Sequence, residues 1–284
     1  MKVIARIVRN DGYAHWLGLC SVYQSDQYGT KNDPERPPHQ VKRRNPSVFL
    51  QKTVHGVIGW SKYRSNLGTF GTEHPASLQY VYVMNKHWDQ RFAESEFAYG
   101  TEAHVSLREQ VTQAGKGRVL CLAEGQGRNA VYLAELGYDV TALDFSPVGL
   151  ARAAQLAGER GVRIELLEAD LSTYVFEPEA WDGIVSIFGH LPAPLRAKVN
   201  GRLRGALKTG GWLQLVGYHP KQLDYRTGGP QEPSMLYTVE GLKAELGPGW
   251  DYEVAEVVER ELREGPYHQG MSAFVHLFAH KTSN

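Results

Sequence analysis

A glycine-rich loop that follows a short apolar run is the part of this sequence best suited to chemistry. The loop spans residues 124–130 (EGQGRNA) and comes directly after the apolar residues 119–122. Backbone amides in the first turn of a helix are unpaired, and together with the helix dipole they attract a phosphate or a carboxylate. Asp144 follows the next apolar run, 19 residues after Gly125, where a carboxylate can accept both hydroxyls of a ribose. This spacing predicts a nucleotide-binding βαβ unit.

Neighbouring residues separate the two nucleotides, NAD and S-adenosyl-L-methionine (SAM), that such a loop serves. Glu124 precedes the first glycine, where an acid offsets a positive ligand; SAM carries an ammonium and a sulfonium, and NAD has no positive group near its pyrophosphate. Asp170, after the third strand pattern, can accept a hydrogen bond from an adenine amino group. Residues 207–211 (LKTGG) predict a helix–turn–strand junction with paired glycines. The sequence also predicts a terminal hairpin, which the plain dinucleotide-binding half-fold does not contain. These features favour SAM.

The elements that would position these residues alternate between strand and helix patterns from about Glu102 onward. This alternation predicts an α/β fold, a Rossmann-like, doubly wound, mainly parallel sheet that ends in an antiparallel hairpin. Predicted strands lie at 119–122, 139–143, 163–167, 182–187, 212–217, 252–259 and 272–280. Predicted helices lie at 129–136, 147–158, 194–207 and 238–246. Gly265-Pro266-Tyr267 is the predicted turn of the hairpin.

With these motifs in place, the sequence from about Trp88 to the C-terminus resembles the class I SAM-dependent methyltransferases. The matching motifs are the loop at 124–127, Asp144, Asp170 and the turn at 207–211. The variant GRNAxxLA that begins at Gly127, together with 88–92 (WDQRF) and 97–100 (FAYG), is similar to the tellurite-resistance and thiopurine methyltransferase-like branch. In that branch the last two segments form a helix and a loop that fold over the cofactor. Arg128 departs from the family pattern, which has a glycine there.

The resemblance implies SAM as the cofactor and a small molecule as the methyl acceptor. The implied cofactor-binding residues are Glu124 for the ammonium, Gly125 and Gly127 for close approach of the loop, Asp144 with its neighbour Phe145 for the ribose, and Asp170 with Leu171 for the adenine. Each assignment has a structural alternative. Glu124 can instead interact with the helix dipole, and the two glycines can form a tight turn without a ligand. Asp144 can be an acid at the N-terminus of the next helix, and Asp170 can be a loop acid without a function.

Loops at the carboxyl ends of the strands supply the predicted acceptor-binding residues, by the crevice rule for open α/β sheets. These residues are Tyr99, His190, Tyr218 and His219. His190 is the candidate catalytic base, and the alternative is a histidine that only fixes the loop by hydrogen bonds. A soft sulfur, selenium or tellurium acceptor would need no base, whereas an oxygen or nitrogen acceptor would need one. An NAD(P)-dependent oxidoreductase and a non-catalytic SAM-binding module are the alternative functions.

The N-terminal 83 residues differ from the remainder in charge and pattern. They carry eleven Lys and Arg against five Asp and Glu, in a chain whose net charge is zero. The segments 32–38 and 42–46 are rich in proline and asparagine, and no amphipathic pattern is sustained. We predict that 1–83 is a poorly ordered extension, or an over-extended start, and that the methyltransferase domain spans 84–284. The alternative is a basic arm that binds RNA or a partner.

Composition and missing motifs argue against several other classes of protein. A zero net charge points to neither nucleic acid nor a membrane as partner, and no apolar run is long enough to span a bilayer. Residues 1–9 are too charged for a signal peptide, and two cysteines cannot build a disulfide framework, so we expect a cytoplasmic location. The sequence contains no HExxH, zinc-spaced Cys/His quartet, GxSxG or GK[ST] motif, and no metal site is predicted.

Overall fold

The computed structural model describes residues 7–9 (backbone only), 87–94, 96–111 and 116–283. Its strands are β1 (Ile7–Arg9), β2 (Arg118–Leu122), β3 (Asp139–Asp144), β4 (Glu165–Glu168), β5 (Trp181–Ile187), β6 (Leu207–Tyr218), β7 (Trp250–Glu264) and β8 (His268–Lys281). Its helices are α1 (87–94), α2 (Val105–Gln110), α3 (Arg128–Glu135), α4 (Pro147–Glu159), α5 (Ala193–Ala206), α6 (Gln222–Tyr225) and α7 (Val239–Leu246).

The strands form one sheet in the order β1-β4-β3-β2-β5-β6-β8-β7. All pairs from β1 to β6 are parallel, and β8 pairs antiparallel with both β6 and β7. The chain runs outward in one direction from β2 through β3 to β4, then returns to place β5 and β6 on the other side of β2. This reversal creates a crevice at the carboxyl ends of β2 and β5, which is where ligands bind in open α/β sheets.

Alternating side chains of the central strands fill two apolar cores, one on each face of the sheet. In β2, Leu120 and Leu122 pack into a core shared with α5 and α7, whereas Val119 and Cys121 pack into a core shared with α2, α3 and α4. Strands buried on both faces read as continuous apolar runs, which is why 119–122 carries no polar residue. Each fully buried aliphatic side chain contributes about 1.5–3 kcal/mol. The free thiol of Cys121 is buried, as its apolar surroundings predict.

Local signals in the sequence explain where the helices near the crevice begin and end. The Ser146 hydroxyl accepts the Gly149 N–H at 3.0 Å, so it caps α4, with Pro147 as the first helical residue. Gly137, just after α3, has φ of 88°, a left-handed conformation that favours glycine. Strand β6 begins at Leu207, earlier than the predicted 212, because the paired glycines lie in an irregularity of the β5–β6 pairing.

The predicted fold class, a Rossmann-like mainly parallel sheet with a terminal antiparallel hairpin, is confirmed. Three residues of the predicted extension, Ile7–Arg9, pair with β4 at the edge of the sheet. The other predictions for residues 1–83 concern a segment outside the described residues. Within the part of the chain that the structure describes, no helix is long and apolar enough to cross a membrane.

Candidate active site

The carboxyl ends of β2, β3, β5 and β6 open into a cavity of about 700 Å³. Small-molecule sites occupy about 300–1,000 Å³. The floor of the cavity consists of residues that follow these strands: 123–126, 144–145, 188–191 and Tyr218. Helix α1, residues 99–100, residues 228–232 and the tip of the β7–β8 hairpin complete the walls. The crevice predicted by the topology is therefore a walled cavity that is partly open to the surface.

The two loop glycines have different structural reasons for being glycine. Gly125 and Gly127 have φ values of 59° and 86°, in the left-handed region. Gly125 lines the cavity, and a Cβ there would lie 2.9 Å from the Phe92 ring. A Cβ on Gly127 would lie 2.5 Å from the Cβ of Ala153, so this glycine lets α3 pack closely on α4. Close approach of both residues to a ligand stays a prediction.

Glu124 lies at the end of β2 and caps α3. Its Oε1 accepts the N–H groups of Asn129 and Ala130, at 2.8 and 2.9 Å. These are two of the unpaired donors of the first helical turn, so the structural alternative noted for this acid is realised. The side chain is also buried and lines the cavity, and burial raises its pKa to about 7 against the effect of these hydrogen bonds. Glu124 is thus a helix cap that remains available to a ligand's positive charge.

Asp144 connects the ends of β2 and β3. Its Oδ2 accepts the Gly125 N–H at 2.8 Å, and its Oδ1 accepts the Ser146 N–H at 2.8 Å. Burial raises the pKa of this carboxyl to about 6. Asp144 and its neighbour Phe145 both line the cavity. Because each carboxylate oxygen carries two lone pairs, the side chain can still accept hydrogen bonds from a ligand's hydroxyl groups.

Four of the predicted site residues do not line the cavity: Gly127, which packs against Ala153, and three residues farther from the loop. Asp170 accepts the Ser172 N–H at 2.7 Å in the loop after β4, and the adjacent Leu171 is buried in the core shared with α5 and α7. His219 accepts the Lys221 N–H at 3.2 Å, beyond the end of β6. Their predicted contacts with adenine and acceptor stay predictions that the cavity walls do not support.

Helix α1 packs over the glycine loop through one aromatic ring and one hydrogen bond. Phe92 is buried, and its ring lies against both Gly125 and Gly149, where any Cβ would come within 2.9 Å of it. Asp89 accepts a hydrogen bond from the Ser146 hydroxyl. The close fit of this helix therefore depends on two glycines, Gly125 in the glycine loop and Gly149 in the first turn of α4.

The loop at 96–100 is attached to the glycine loop by the side chain of Gln126. The Gln126 Oε1 accepts the Ala98 N–H at 2.7 Å, and its Nε2 donates to the Glu96 carbonyl at 2.9 Å. Trp88 and Arg91 of α1 line the cavity beside Tyr99. The segments 88–92 and 97–100 thus lie over the glycine loop, and their predicted place over a bound cofactor stays a prediction.

Tyr99, His190 and Tyr218, the other predicted acceptor-binding residues, all line the cavity. The Nε2 of His190 accepts the Tyr218 N–H at 3.0 Å. A neutral imidazole has one nitrogen that can accept a hydrogen bond, so the lone pair that a base would use is already committed. Burial lowers the pKa of His190 to about 3. This geometry corresponds to the alternative, a hydrogen-bonding histidine, and argues against His190 as the catalytic base.

The tip of the β7–β8 hairpin contributes functional candidates that the sequence reading treated only as a turn. Tyr267 and His268 line the cavity. Behind them, Glu264 accepts a hydrogen bond from Arg128 Nη1 at 2.8 Å and lies 3.6 Å from His268 Nδ1. Although burial alone would raise the pKa of Glu264, its neighbours His268 and Arg128 hold it at about 2. The sequence held a signal for this position. Strand β8 runs antiparallel to β6, so the turn before β8 lies beside the carboxyl end of β6.

The central part of the chain matches a known protein family. The family model described as a methyltransferase domain matches residues 119–211. A demethylmenaquinone methyltransferase from Thermus thermophilus is 35% identical over 105 residues, which are 36% of this chain and 48% of that protein. The chain spans less than half the length of the curated relatives it matches.

Solved structures share the fold at low sequence identity. TehB from Haemophilus influenzae has a TM-score of 0.54 at 22% identity, with 63% of each chain covered. A 1,6-didemethyltoxoflavin-N1-methyltransferase from Burkholderia thailandensis, solved with 1,6-didemethyltoxoflavin and S-adenosylhomocysteine, has a TM-score of 0.54 at 18% identity, covering 76% of this chain and 94% of that one. At such identities the likeness shows the fold alone. The family model therefore matches residues 119–211 as a methyltransferase domain, and the solved structures show the fold in which these residues lie.

Proposed function

We propose that this chain, through its SAM-dependent methyltransferase domain, transfers a methyl group from SAM to a small molecule. The observation that carries the proposal is the position of Glu124 and Asp144. Both acids are buried, both line one cavity, and both are fixed to the glycine loop by hydrogen bonds from backbone amides. The cavity adjoins the loop on one side and aromatic walls on the other, so it can hold a donor and an acceptor together.

The charges around the cavity fit SAM better than a dinucleotide. Two carboxylates adjoin the glycine loop, where the pyrophosphate of NAD would meet them with like charge. A positively charged donor is favoured by such acids, and by the aromatic faces of Trp88 and Phe92, since cations bind over aromatic rings. We therefore assign the ammonium of SAM to Glu124 and the ribose hydroxyls to Asp144.

When bound, SAM supplies an electrophilic methyl group on a sulfur that leaves as a neutral thioether. The residues of this chain would align the acceptor with that methyl group and exclude water from the cavity. Orientation of this kind lowers a barrier by about 7–11 kcal/mol in favourable cases. Helix α1 and residues 96–100 would exclude water from the cavity, because Phe92 and Gln126 hold these two segments against the glycine loop.

The branch of the family and the acceptor are also part of the proposal. The motifs at 88–92, 97–100 and 127–134 support the tellurite-resistance and thiopurine methyltransferase-like branch, and the likeness to TehB adds only the fold. The acceptor is a small molecule, because residues 228–232 and the hairpin tip form walls of a cavity of only about 700 Å³. Whether it is a soft anion or a group that loses a proton depends on whether a free base faces the cavity.

Calorimetric titration of the full chain with SAM, S-adenosylhomocysteine and NADH tests the cofactor. We expect the first two to bind and NADH to give no heat. Asp144→Ala should abolish binding, and Asp144→Asn should weaken it while conserving the shape of the site. Asp251→Ala is the matched control, because Asp251 is exposed on β7 and does not line the cavity.

The same titration separates the alternatives. If NADH binds and SAM does not, the glycine loop is a dinucleotide-binding site, which supports the oxidoreductase. SAM binding without release of S-adenosylhomocysteine, over a panel of thiols, phenols, amines, selenite and tellurite, would indicate a non-catalytic SAM-binding module. Unchanged SAM affinity in Asp144→Ala would remove the ribose role from that residue.

A further inference from the structure

The β7–β8 hairpin extends beyond the sheet and over the cavity. Strand β8 pairs with β6 as far as Tyr218 opposite Phe274, and it continues alongside β7 to His268. Six residues of extended chain span about 20 Å. The tip is held down where Gly265 meets Gly100, since a Cβ on Gly265 would lie 2.3 Å from the Gly100 nitrogen. This contact fixes His268 in the wall of the cavity.

His268 is buried, yet one of its nitrogens is free for a ligand. Its ring lies 4.4 Å from the Tyr99 ring and 4.7 Å from the Phe188 ring, measured between centroids. Its Nδ1 faces Glu264 Oε2 at 3.6 Å, slightly beyond direct hydrogen-bond range. Its Nε2 makes no hydrogen bond to any described residue, and the side chain lines the cavity. This contrasts with His190, whose accepting nitrogen is occupied.

Glu264 is fixed so that it can support a positive charge on His268. Arg128 Nη1 donates to Glu264 Oε2 at 2.8 Å, and the same guanidinium nitrogen donates to the Tyr99 carbonyl at 3.0 Å. The Nδ1 of His104 accepts the Ser106 N–H, so the proton of the neutral ring is on Nε2. This Nε2 lies 3.8 Å from Glu264 Oε1. The carboxylate therefore stays ionised beside His268. A carboxylate behind an imidazole orients the ring and stabilises the imidazolium.

Tyr218 supplies a second polar atom whose hydrogen bonding is incomplete. The side chain is 1% exposed and lines the cavity, and its hydroxyl makes no hydrogen bond of good geometry within the described residues, although the nearby Ser272 side chain lowers its pKa against the larger effect of burial. A buried hydroxyl without a well-formed hydrogen bond is unfavourable, so such a group gains from a ligand that offers it a partner. The Tyr218 and His268 rings lie 5.6 Å apart, so one ligand can contact both residues.

The cavity wall around these two residues is aromatic. Phe188 stacks on Tyr218 at 4.5 Å between ring centroids, and the rings of Tyr99 and Tyr267, which line the same cavity, lie 6.1 Å apart. Arg91 lies 4.3 Å above the Tyr267 ring and has no carboxylate partner among the described residues. Flat aromatic walls select a planar ring, because offset stacking and edge-to-face contacts add to the burial of its surface.

We propose that His268 is the proton acceptor for the methylation of a planar aromatic compound at an O–H or N–H group, and that the Tyr218 hydroxyl positions this acceptor. The inference rests on the proposed methyl transfer and deepens it. In the step, the acceptor oxygen or nitrogen forms a bond to the methyl carbon, and the carbon–sulfur bond breaks with its electron pair left on sulfur. The acceptor proton moves to His268 Nε2, and the imidazolium is then stabilised by Glu264.

The charged and titratable groups that face His268 determine whether it is ready to accept a proton. Burial lowers the pKa of His268, and Arg128 and Arg91 act in the same direction, while Glu264 opposes them. The imidazole is therefore neutral near pH 7, as a base must be. The groups that face it are Glu264 of β7, Arg128 of α3, Arg91 of α1, Tyr99, Tyr218, His104 and His190.

Two probe acceptors test the proposal with the full chain. Catechol must lose a proton to be methylated, whereas thiophenol is already ionised at about pH 8 and needs no base. We expect His268→Asn to lower kcat with catechol by about 10²-fold or more, the usual contribution of general-base catalysis, and to change thiophenol methylation less than about threefold. Tyr218→Phe should mainly raise KM for catechol. His280→Asn is the matched control, because His280 lies at the far end of the same strand.

A readout without turnover accompanies the kinetics. In the complex with S-adenosylhomocysteine, catechol should shift the ¹³Cε1 NMR signal of His268 and leave that of His280 unchanged. Equal loss of catechol and thiophenol methylation in His268→Asn would overturn the inference, as would unchanged catechol methylation or methylation of neither probe. Absence of SAM binding in the unmodified chain would instead contradict the proposed function itself, so the two failures are distinguishable.

Discussion

The double role of Glu124 leads to a pH dependence of cofactor binding that can be worked out in advance. The buried carboxyl has a pKa of about 7, so it is mostly protonated at pH 6 and mostly ionised at pH 8. An ammonium group binds the ionised form, and the ionised fraction rises from about 0.09 to about 0.9 over this range. The contribution of Glu124 to affinity therefore increases about tenfold, which equals about 1.4 kcal/mol.

Glu124→Gln isolates this contribution, because the amide oxygen can still cap α3 at Asn129 and Ala130. Calorimetry with S-adenosylhomocysteine, which keeps the ammonium and is not consumed, gives the affinity of both proteins at pH 6, 7 and 8. Asp144, with a pKa of about 6, adds about a twofold change to both proteins, so the ratio of their affinities reports Glu124 alone. We expect this ratio to grow about tenfold from pH 6 to pH 8.

The stability of the ligand-free chain provides the internal control. A carboxyl whose pKa is raised on folding stabilises the fold below its unfolded pKa of 4.5, and this stability is lost as the pH rises through about 7. Glu124→Gln should therefore be more stable than the unmodified chain at pH 8, by roughly 3 kcal/mol, and similar to it near pH 4. Parallel pH profiles of affinity in the two proteins would refute the ammonium role and leave Glu124 as a cap of α3 only.

Two further substitutions test the packing of the loop and the role of His190. Gly127→Ala should destabilise the fold by about 2–4 kcal/mol in urea unfolding, since it adds a left-handed backbone cost of about 1–2 kcal/mol to a clash with Ala153. Gly161 has a φ of 70° and nothing within 4 Å of an added Cβ, so Gly161→Ala should show the backbone cost alone. Equal losses of stability in the two variants would contradict the packing role of Gly127. His190→Ala should lower stability by about 1–3 kcal/mol, because the Tyr218 N–H loses its acceptor. It should leave the shape of the pH profile of methyl transfer unchanged. Loss of the fall in rate on the acidic side would restore His190 as the base.

The sequence determined the fold because its strongest signals are local. The apolar runs of the central strands, the cap at Ser146 and the glycine at 137 each encode one element or its end, and the alternation of elements then selects a parallel sheet. The acids Glu124 and Asp144 were identified by spacing within this βαβ unit. Both lie at the cavity because the carboxyl ends of parallel strands share one edge.

Only the tertiary structure decided which side chains face the cavity and which lone pairs are free. His190 and His268 look alike in the sequence, yet a backbone amide occupies the accepting nitrogen of His190, while His268 reaches the cavity from a strand far along the chain. Arg128 stands where the methyltransferase pattern has a glycine, and its hydrogen-bond partner Glu264 lies 136 residues later in the chain. Such pairings depend on contacts between distant segments, which local propensity does not encode. The proposed base and acceptor site therefore form only once the hairpin is folded over the sheet.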